Sequence, residues 1–510
     1  MWQVSGETSL ALSGTTIATT TSSIAEMPAA TTIYTLAATN SAGTTQQSVT
    51  VTVMPAADVA SVQINPAAAT QMISPSFMSV AQDLSEVTAF VGTESSNMNP
   101  IYEQLLKNVT QYGNGPLLIR LLADDSTLSN YSTSDLSALS QLNTDIGAEY
   151  FIGVDFKDDD VSTATQEASL LAAGLPGKIL QGLELGNEPD EYESSYSAYL
   201  TQYQQFAPAL ISASSGVKMA APVLTGGITS FMNNLNSFVS TQASTLSIVD
   251  VHHYPGSACN GATEPADYLL TEAAVDGDLE PLSGPVGITA YVPTAQKAGI
   301  PLRIGELNSI DCQGQAGVSN SFSSALWGMD IAFSYANAGV SGINFFTPGS
   351  TTTTHPYTPF YFTCIVNANG TRTYSVRDIN PLYYCMLMFA QTAQNGAQLL
   401  PVTLTTTANI KAWATIDANH TIRLLLLNKD LTASGPITIA LAGYGQATVT
   451  RLIAPSYTSI TGVTLAGQTF DGSPDGTPQG IATSEAAQPS GGIFTITVPS
   501  VSAALVTIQQ

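Results

Sequence analysis

Short apolar runs recur through the middle of the chain, and between them apolar side chains return every third or fourth residue. The runs read SFMSVAQ (76–82), PLLIRLL (116–122), AEYFIGVDF (148–156), ILQGLEL (179–185), VKMAAPV (217–223), SIVDVHH (247–253), PLRIGEL (301–307) and SGINFF (341–346). Runs of this length, flanked by Gly, Pro and Asn, predict buried parallel strands. Helical spacing follows them. One example is Tyr192, Tyr196, Tyr199, Tyr203, Phe206 and Leu210; others are Asn320 to Ala338 and NPLYYCMLMFAQ (380–391). Eight strand–helix units between 74 and 394 predict an α/β protein, a (β/α)8 barrel. A doubly wound open sheet fits less well, because no Gly-rich phosphate loop follows the first strand.

The period changes at both ends. From 395 to 510 short strands with Gly/Pro/Asn/Asp turns predict a C-terminal antiparallel β-sandwich, among them ANIKAWATID, HTIRLLLLNK, GPITIALAGY and GIFTITVPS. The strand-like ADVASVQINPAAA (57–69) is expected to complete that sandwich from before the barrel, so that 57–73 joins a domain discontinuous in sequence. Residues 1–56 read as a small β module: TTIYTLAATNSAGTTQQSVTVTV (31–53) is two alternating strands about an Asn-Ser-Ala-Gly turn, with Trp2 as an anchor upstream. This stretch resembles part of a bacterial immunoglobulin-like module. Met1 then reads as the start of a fragment, and the missing signal peptide says nothing about export.

Charge narrows the partners. With 13 Lys+Arg against 38 Asp+Glu, the net charge of −25 repels nucleic acid and anionic membranes. No apolar run is long enough to span a bilayer. Charged residues make up only 10% of the chain and 44% is hydrophobic, which describes a folded protein and not a disordered one.

In a barrel of this kind the C-terminal strand ends face the active site. Glu188 follows the fourth strand in GLELGNEPDEY (182–192), and Glu306 ends the seventh in RIGELNS. A lone Glu at a strand end is usually a solvated loop residue or a helix cap. Two, each at the mouth of its own strand, are the pair that glycoside hydrolysis needs: one protonates the leaving oxygen and the other attacks or stabilises the oxocarbenium-like centre. Asn187 is placed to hold a sugar hydroxyl, and Pro189 stiffens the turn. The rival of another class is a non-catalytic carbohydrate-binding or adhesion protein, suggested by the β modules; such a protein has no use for both glutamates.

The segments SPSFMSVAQDL (74–84), LELGNEPDEY, VDVHHYPG (249–256), GELNS (305–309), GVSNSFSSALWGMD (317–330), NPLYYCMLMFAQ, TLAGQTF (464–470) and PSVSAALVTI (499–508) resemble glycoside hydrolase family 79, the heparanase and β-glucuronidase family. The resemblance covers roughly 57–510 and implies a retaining exo-β-glycosidase, with β-glucuronidase ahead of β-glucosidase or a disaccharide-specific β-glycosidase. It assigns Glu188 as acid/base and Glu306 as nucleophile. Asn187 would bind the hydroxyl beside the anomeric carbon, Tyr254 the nucleophile, and Asp83 the distal hydroxyls. Three departures stand out. Arg120 is retained after the second strand, but in place of the family's glycine pair the chain reads IRLLADDS (119–126), where Asp124 or Asp125 can bind sugar or simply cap the next helix. After the nucleophile come Asp311, Cys312 and Gln313, with Gly314 beyond, where glucuronidases of the family bind the uronic carboxylate; a carboxylate there is repulsive and favours a neutral sugar. After the eighth strand, Tyr357 in the long TPGSTTTTHPYTPF (347–360) matches a family tyrosine that reaches the C6 substituent.

Four cysteines allow three pairings and form no C-x-x-C. Cys259 and Cys312 follow the sixth and seventh strands, so a bridge between them would staple adjacent mouth loops. Cys364 and Cys385 flank a hairpin-like NANGTRTYS (367–375) and are expected to form a second bridge. His252 and His253 point to opposite faces of one strand and cannot easily share an ion, so a metal is not expected; neither is a cofactor. The expectation is a secreted or periplasmic bacterial monomer acting on a β-glycoside such as a polysaccharide side chain.

Overall fold

A computed structural model describes all residues except 1, 26, 27, 29, 30, 52–57, 94–96, 124–130, 276–286 and 349–354. Asp124, Asp125 and part of the loop after the eighth strand lie outside the described residues. The chain divides into two units, Met1–Asp58 and Val59–Gln510.

The first unit is a four-stranded antiparallel sheet in the spatial order Thr15–Ile17, Ser9–Leu12, Thr32–Asn40, Gly43–Val51. The last two strands form the hairpin that the Asn-Ser-Ala-Gly turn predicts. Asn40 closes it, its side-chain oxygen accepting from the Ala42 N–H at 2.9 Å. Leu10 is buried, and the Trp2 indole N–H donates to the Thr21 carbonyl.

The second unit contains a closed barrel of eight parallel strands: β1 (Met78–Asp83), β2 (Leu118–Leu122), β3 (Glu149–Val154), β4 (Leu180–Leu185), β5 (Met219–Leu224), β6 (Leu246–His253), β7 (Leu302–Leu307) and β8 (Gly342–Phe346). Pairing of Ile343 with Met78 and Phe346 with Ala81 closes the ring. Each strand leads to a helix: α1 (Pro100–Thr110), α2 (Thr133–Ile146), α3 (Val161–Gly174), α4 (Tyr196–Ala213), α5 (Leu235–Gln242), α6 (Val292–Ala298), α7 (Phe322–Ala338) and α8 (Pro381–Thr392). Local chemistry starts the first four helices, since Asn99, Ser132, Asp160 and Ser195 each accept a hydrogen bond from the N–H groups of the first turn. The tyrosine stripe of α4 is the face turned inward: Tyr199, Tyr203 and Phe206 are buried, with Tyr203 edge-on to Phe238 of α5.

The C-terminal β-sandwich packs two sheets about Val62, Leu424, Ile437, Phe494 and Val506. One sheet runs Gln398–Leu400, Ile410–Ile416, Ile422–Asn428, Ser502–Gln509, Gln446–Ile453, Thr464–Leu465. The other is Val402–Thr406, Ala60–Ile64, Gly435–Ala440, Ile493–Val498. Ala60–Ile64 thus sits inside the sandwich, antiparallel to Val402–Thr406 and parallel to Gly435–Ala440.

Barrel and sandwich meet at α7, where every residue from Phe322 to Ala336 is buried. A helix without a polar face needs partners all round. Trp413 of the sandwich stacks on Phe333 and donates to Asp330 at 3.1 Å, and the other Asp330 oxygen takes the Lys429 ammonium at 2.6 Å. Both charges are fully buried, and Lys429 also lies 3.4 Å from Glu272, so removing Lys429 leaves the Asp330 carboxylate without this cation at a cost of about 3–5 kcal/mol.

Candidate active site

The C-terminal strand ends gather a cluster of buried charged and polar side chains. Its hub is Arg120 of β2, which is completely buried. Arg120 grips Glu184 of β4 through two bonds of 2.7 Å. It also donates to Asn187 Oδ1 at 2.6 Å and to Glu306 Oε2 at 2.6 Å. A planar guanidinium with five donors meets three acceptors in fixed directions, and a lysine could not do so. The surrounding carboxylates hold its charge, against burial, well above the usual arginine range.

Glu306 ends β7 and is nearly buried. Its second oxygen, Oε1, accepts from the Tyr254 hydroxyl at 2.7 Å, so both oxygens are held. Burial and the Glu306 charge push the Tyr254 phenol well up, which keeps it a donor. The Tyr254 ring lies 6.1 Å from that of Tyr357, which is buried in the segment after β8. Asn308 ties that segment down by donating to the carbonyls of Phe346 and Tyr357. Gly314 packs against Tyr357 so closely that a Cβ there would lie 2.9 Å from the ring, and its φ of +83° also favours glycine.

Glu188 is held differently. It precedes the short helix Pro189–Tyr192 with φ +49° and ψ +56°, a left-handed conformation costing a non-glycine residue about 1–2 kcal/mol. Its N–H donates to the carbonyl of Val223, where β5 carries an extra residue relative to β6 and has φ +60°. Two such residues side by side at a barrel mouth mark a place where backbone strain is maintained. The Glu188 carboxyl meets His252 Nδ1 at 2.9 Å. This is no imidazolium–carboxylate pair, because burial, seconded by Arg120 and opposed by Glu306, pushes His252 down to about 3. Asp190, two residues on, accepts from the backbone and hydroxyl of Thr225, and burial raises it to about 6.

One oxygen from each of Glu188 and Glu306 lies, with a His252 nitrogen, in a set whose members are all within 4.8 Å of one another. Three such donors can in principle hold a cation, but the Arg120 guanidinium bonded to Glu306 Oε2 places a fixed positive charge there. The cluster of Cys259, Cys312 and Asp311 is no better suited, since its sulfurs are joined.

The Cys259–Cys312 bridge lies across the loops after β6 and β7. These loops are also joined by parallel pairing of Gly256–Ser257 with Ile310–Asp311, and by Gln315, whose side-chain amide exchanges two bonds with the Glu264 backbone. A cavity of about 890 Å³ opens beside them, lined by Glu188, His252, Tyr254, Gly226, Asp311 and Cys312 among others, with no Lys or Arg among the described lining residues.

The site residues read from the sequence fall into three groups. Glu188, Glu306, Asn187, Arg120 and Tyr254 form one connected network. Tyr357 and Gly314 pack beside it, and exposed Asp311 stands on the cavity wall. Asp83 ends β1, its Oδ1 accepting from the N–H and hydroxyl of Ser85. The expected Cys364–Cys385 bridge is wrong, for both thiols are free. Cys385 is buried in α8 against Gly328 of α7, while Cys364 lies opposite Tyr374 in the hairpin Phe360–Val366/Arg372–Ile379 and accepts from Arg372. Glu184, Asp250 and the His252 contact were not picked out from the sequence. The signal was a charge at an inward position of an apolar strand.

Comparison with known proteins finds glycoside hydrolases. Residues 412–505 match the description "Glycosyl hydrolase family 79 C-terminal beta domain". A β-glucuronidase of Aspergillus niger is 24% identical over 399 residues, covering 68% of this chain and 70% of its own. The chain is thus similar to glycoside hydrolase family 79 in its C-terminal domain and to a β-glucuronidase over most of its length. Among solved structures, a 4-O-α-L-rhamnosyl-β-D-glucuronidase from Fusarium oxysporum superimposes with a TM-score of 0.69 at 20% identity, over 87% of this chain and all of that one. A family 51 α-L-arabinofuranosidase from Bifidobacterium longum follows at 0.61 and 16%, over 89% of this chain and all of its own. At such identities the structural likenesses speak for the fold alone. The chain is a glycoside hydrolase, and among its described residues no helix is long and apolar enough to cross a membrane.

Proposed function

We propose that this glycoside hydrolase is a retaining exo-β-glycosidase, with a terminal β-glucuronide as its first substrate class. The observation that carries the mechanism is the approach of a Glu188 oxygen and a Glu306 oxygen to within 4.8 Å. Retaining enzymes hold their carboxyl groups about 5–5.5 Å apart, whereas inverting ones leave about 6.5–9.5 Å for a water. Glu306, oriented by Arg120 and Tyr254, attacks the anomeric carbon as the bond to the aglycone breaks, and Glu188 gives its proton to the leaving oxygen. Glu188 then takes a proton from water, whose oxygen displaces Glu306 and releases the sugar. Neutral His252 suits both halves of this cycle. Its Nδ1 accepts from a protonated Glu188 and, as the other tautomer, donates to the carboxylate.

The glucuronide assignment draws on the β-glucuronidase relative and the named activity of the Fusarium neighbour. A neutral β-glucoside is the second reading, and Asp311 favours it: an exposed carboxylate on a cavity wall with no Lys or Arg among its described residues repels a uronic acid. The disulfide fits an oxidising compartment, in line with export. A panel of p-nitrophenyl β-glycosides, with the glucuronide, glucoside, galactoside and xyloside, tests both readings. A preference for the glucuronide supports the first and a preference for the glucoside the second. No turnover of any member, together with an unchanged Glu306→Ala protein, would remove the glycosidase mechanism.

A further inference from the structure

Strand β7 carries one residue more than its neighbours allow. Against β6 the register runs Val251 with Ile304 and then His252 with Glu306, which leaves Gly305 unpaired. Against β8 it runs Ile304 with Ile343 and then Leu307 with Phe345. Side chains alternate along a strand. Arg303 is buried within the barrel, its guanidinium on Asn344 and on the carbonyls of Ser76 and Phe77. By that alternation Ile304, the next residue along the strand, takes the other face. In strict alternation Glu306 would share the face of Ile304. A bulge at Gly305 reverses the phase, and Glu306 reaches Arg120 and Tyr254.

The bulge frees the N–H of Gly305 from the ladder, and that N–H donates to Asp250 Oδ1 of β6 at 2.7 Å. Asp250 is fully buried, and its Oδ2 stands 3.9 Å from Nε of Arg120, the guanidinium that holds Glu306. The fit is mutual, because a Cβ on residue 305 would lie 2.1 Å from Asp250 Oδ1. We propose that Asp250 is a positioning residue that captures the bulged Gly305 amide and thereby aims Glu306 into the barrel mouth. This rests on Glu306 being the nucleophile. Burial, reinforced by the Glu184 charge and opposed by Arg120, pushes the Asp250 carboxyl well up. A protonated carboxyl still accepts at Oδ1, so asparagine, of the same shape, keeps the bond. Alanine leaves a buried N–H without its acceptor.

The test uses the full chain with Asp250→Ala, Asp250→Asn, Gly305→Ala and the Asp250→Ala/Gly305→Ala double variant on an aryl β-glycoside that the wild type hydrolyses. Asp250→Ala is expected to lower kcat about 100-fold with KM within about threefold, the loss that a displacement of about 1 Å brings. Asp250→Asn should restore kcat to within about fivefold of wild type, and Gly305→Ala should cost about 100-fold alone but under about threefold in the Asp250→Ala background, where the atoms its Cβ meets are gone. A wild-type kcat in Asp250→Ala, an asparagine variant as poor as alanine, a loss confined to KM, or full additivity of the pair would each overturn the proposal. Crystals of Asp250→Asn and Gly305→Ala supply a readout independent of turnover. The asparagine variant should keep the bulge with Glu306 on Arg120, and the alanine variant should displace it. If the wild type hydrolyses no glycoside, the nucleophile reading fails, while these crystals still decide the fate of the bulge.

Discussion

The two glutamates proposed as catalytic, Glu306 at the end of β7 and Glu188 just beyond β4, are held in different ways. Glu306 keeps 9% of its side chain exposed and has a partner on each oxygen, the Arg120 guanidinium and the Tyr254 hydroxyl. Glu188 keeps 28% exposed, itself adopts a left-handed backbone conformation and meets the neutral His252. A carboxyl that must strike one carbon along one line gains from being fixed by charge and hydrogen bonds. One that must give away a proton and recover it from water needs access, together with a partner that tolerates both of its states. In this hydrolase the contrast comes from what faces each strand end, since both residues are glutamates in similar strand–loop settings.

The sharpest break removes the fixed partner. Glu306→Ala should lower kcat/KM on an aryl glycoside by about 10⁵-fold, the scale of losing a nucleophile. Added azide should restore turnover and yield the inverted glycosyl azide. Glu188→Ala should cost less and depend on the leaving group: about 10²–10⁴-fold for a poor one, and far less for 2,4-dinitrophenyl, which needs no proton. Equal losses on both leaving groups would erase the distinction between the two glutamates.

Weaker perturbations probe the frame around them. The Cys259–Cys312 bridge spans 53 residues and joins the loops after Tyr254 and Glu306. Its loss through Cys259→Ser/Cys312→Ser should lower the unfolding free energy by about 2–4 kcal/mol, measured by urea titration. The smallest effect is a pH slope. His252 titrates near 3 when folded and near 6.5 when unfolded, so the unfolded chain binds the extra proton between these values. Stability should therefore fall as pH drops from about 6.5 towards 3, by at most about 1.4 kcal/mol per unit from this one residue. Asp190, raised to about 6, works the other way, its contribution fading as pH rises from about 4 to 6. A His252→Gln variant should lose less stability than wild type between pH 6.5 and 4.5; a parallel loss would show that the imidazole is not buried neutral.

Much of this arrangement was legible in the chain. Eight apolar runs separated by helical spacing favour a barrel over an open sheet, and a closed barrel gathers its strand carboxyl ends, with Glu188 and Glu306, at one mouth. Cys259 and Cys312 were readable for the same reason, since both follow adjacent strands. Cys364 and Cys385 were misread because nearness in sequence says nothing about direction: one thiol lies in a hairpin and the other is buried in α8.

The sequence by itself determined the periodicities, the turns and the identities of the groups at the strand ends, because these depend on local sterics and on which side chains avoid water. Only the tertiary structure decided how those groups are used. Arg120 lies 64 residues from Glu184 and 186 from Glu306, and the bonds among them exist only once the barrel has closed. The extra residue at Gly305 leaves no trace in the hydrophobic pattern, because glycine has no side chain to show its face. Its amide is bound by a carboxyl 55 residues earlier, and through that contact β7 turns Glu306 towards the mouth of the barrel.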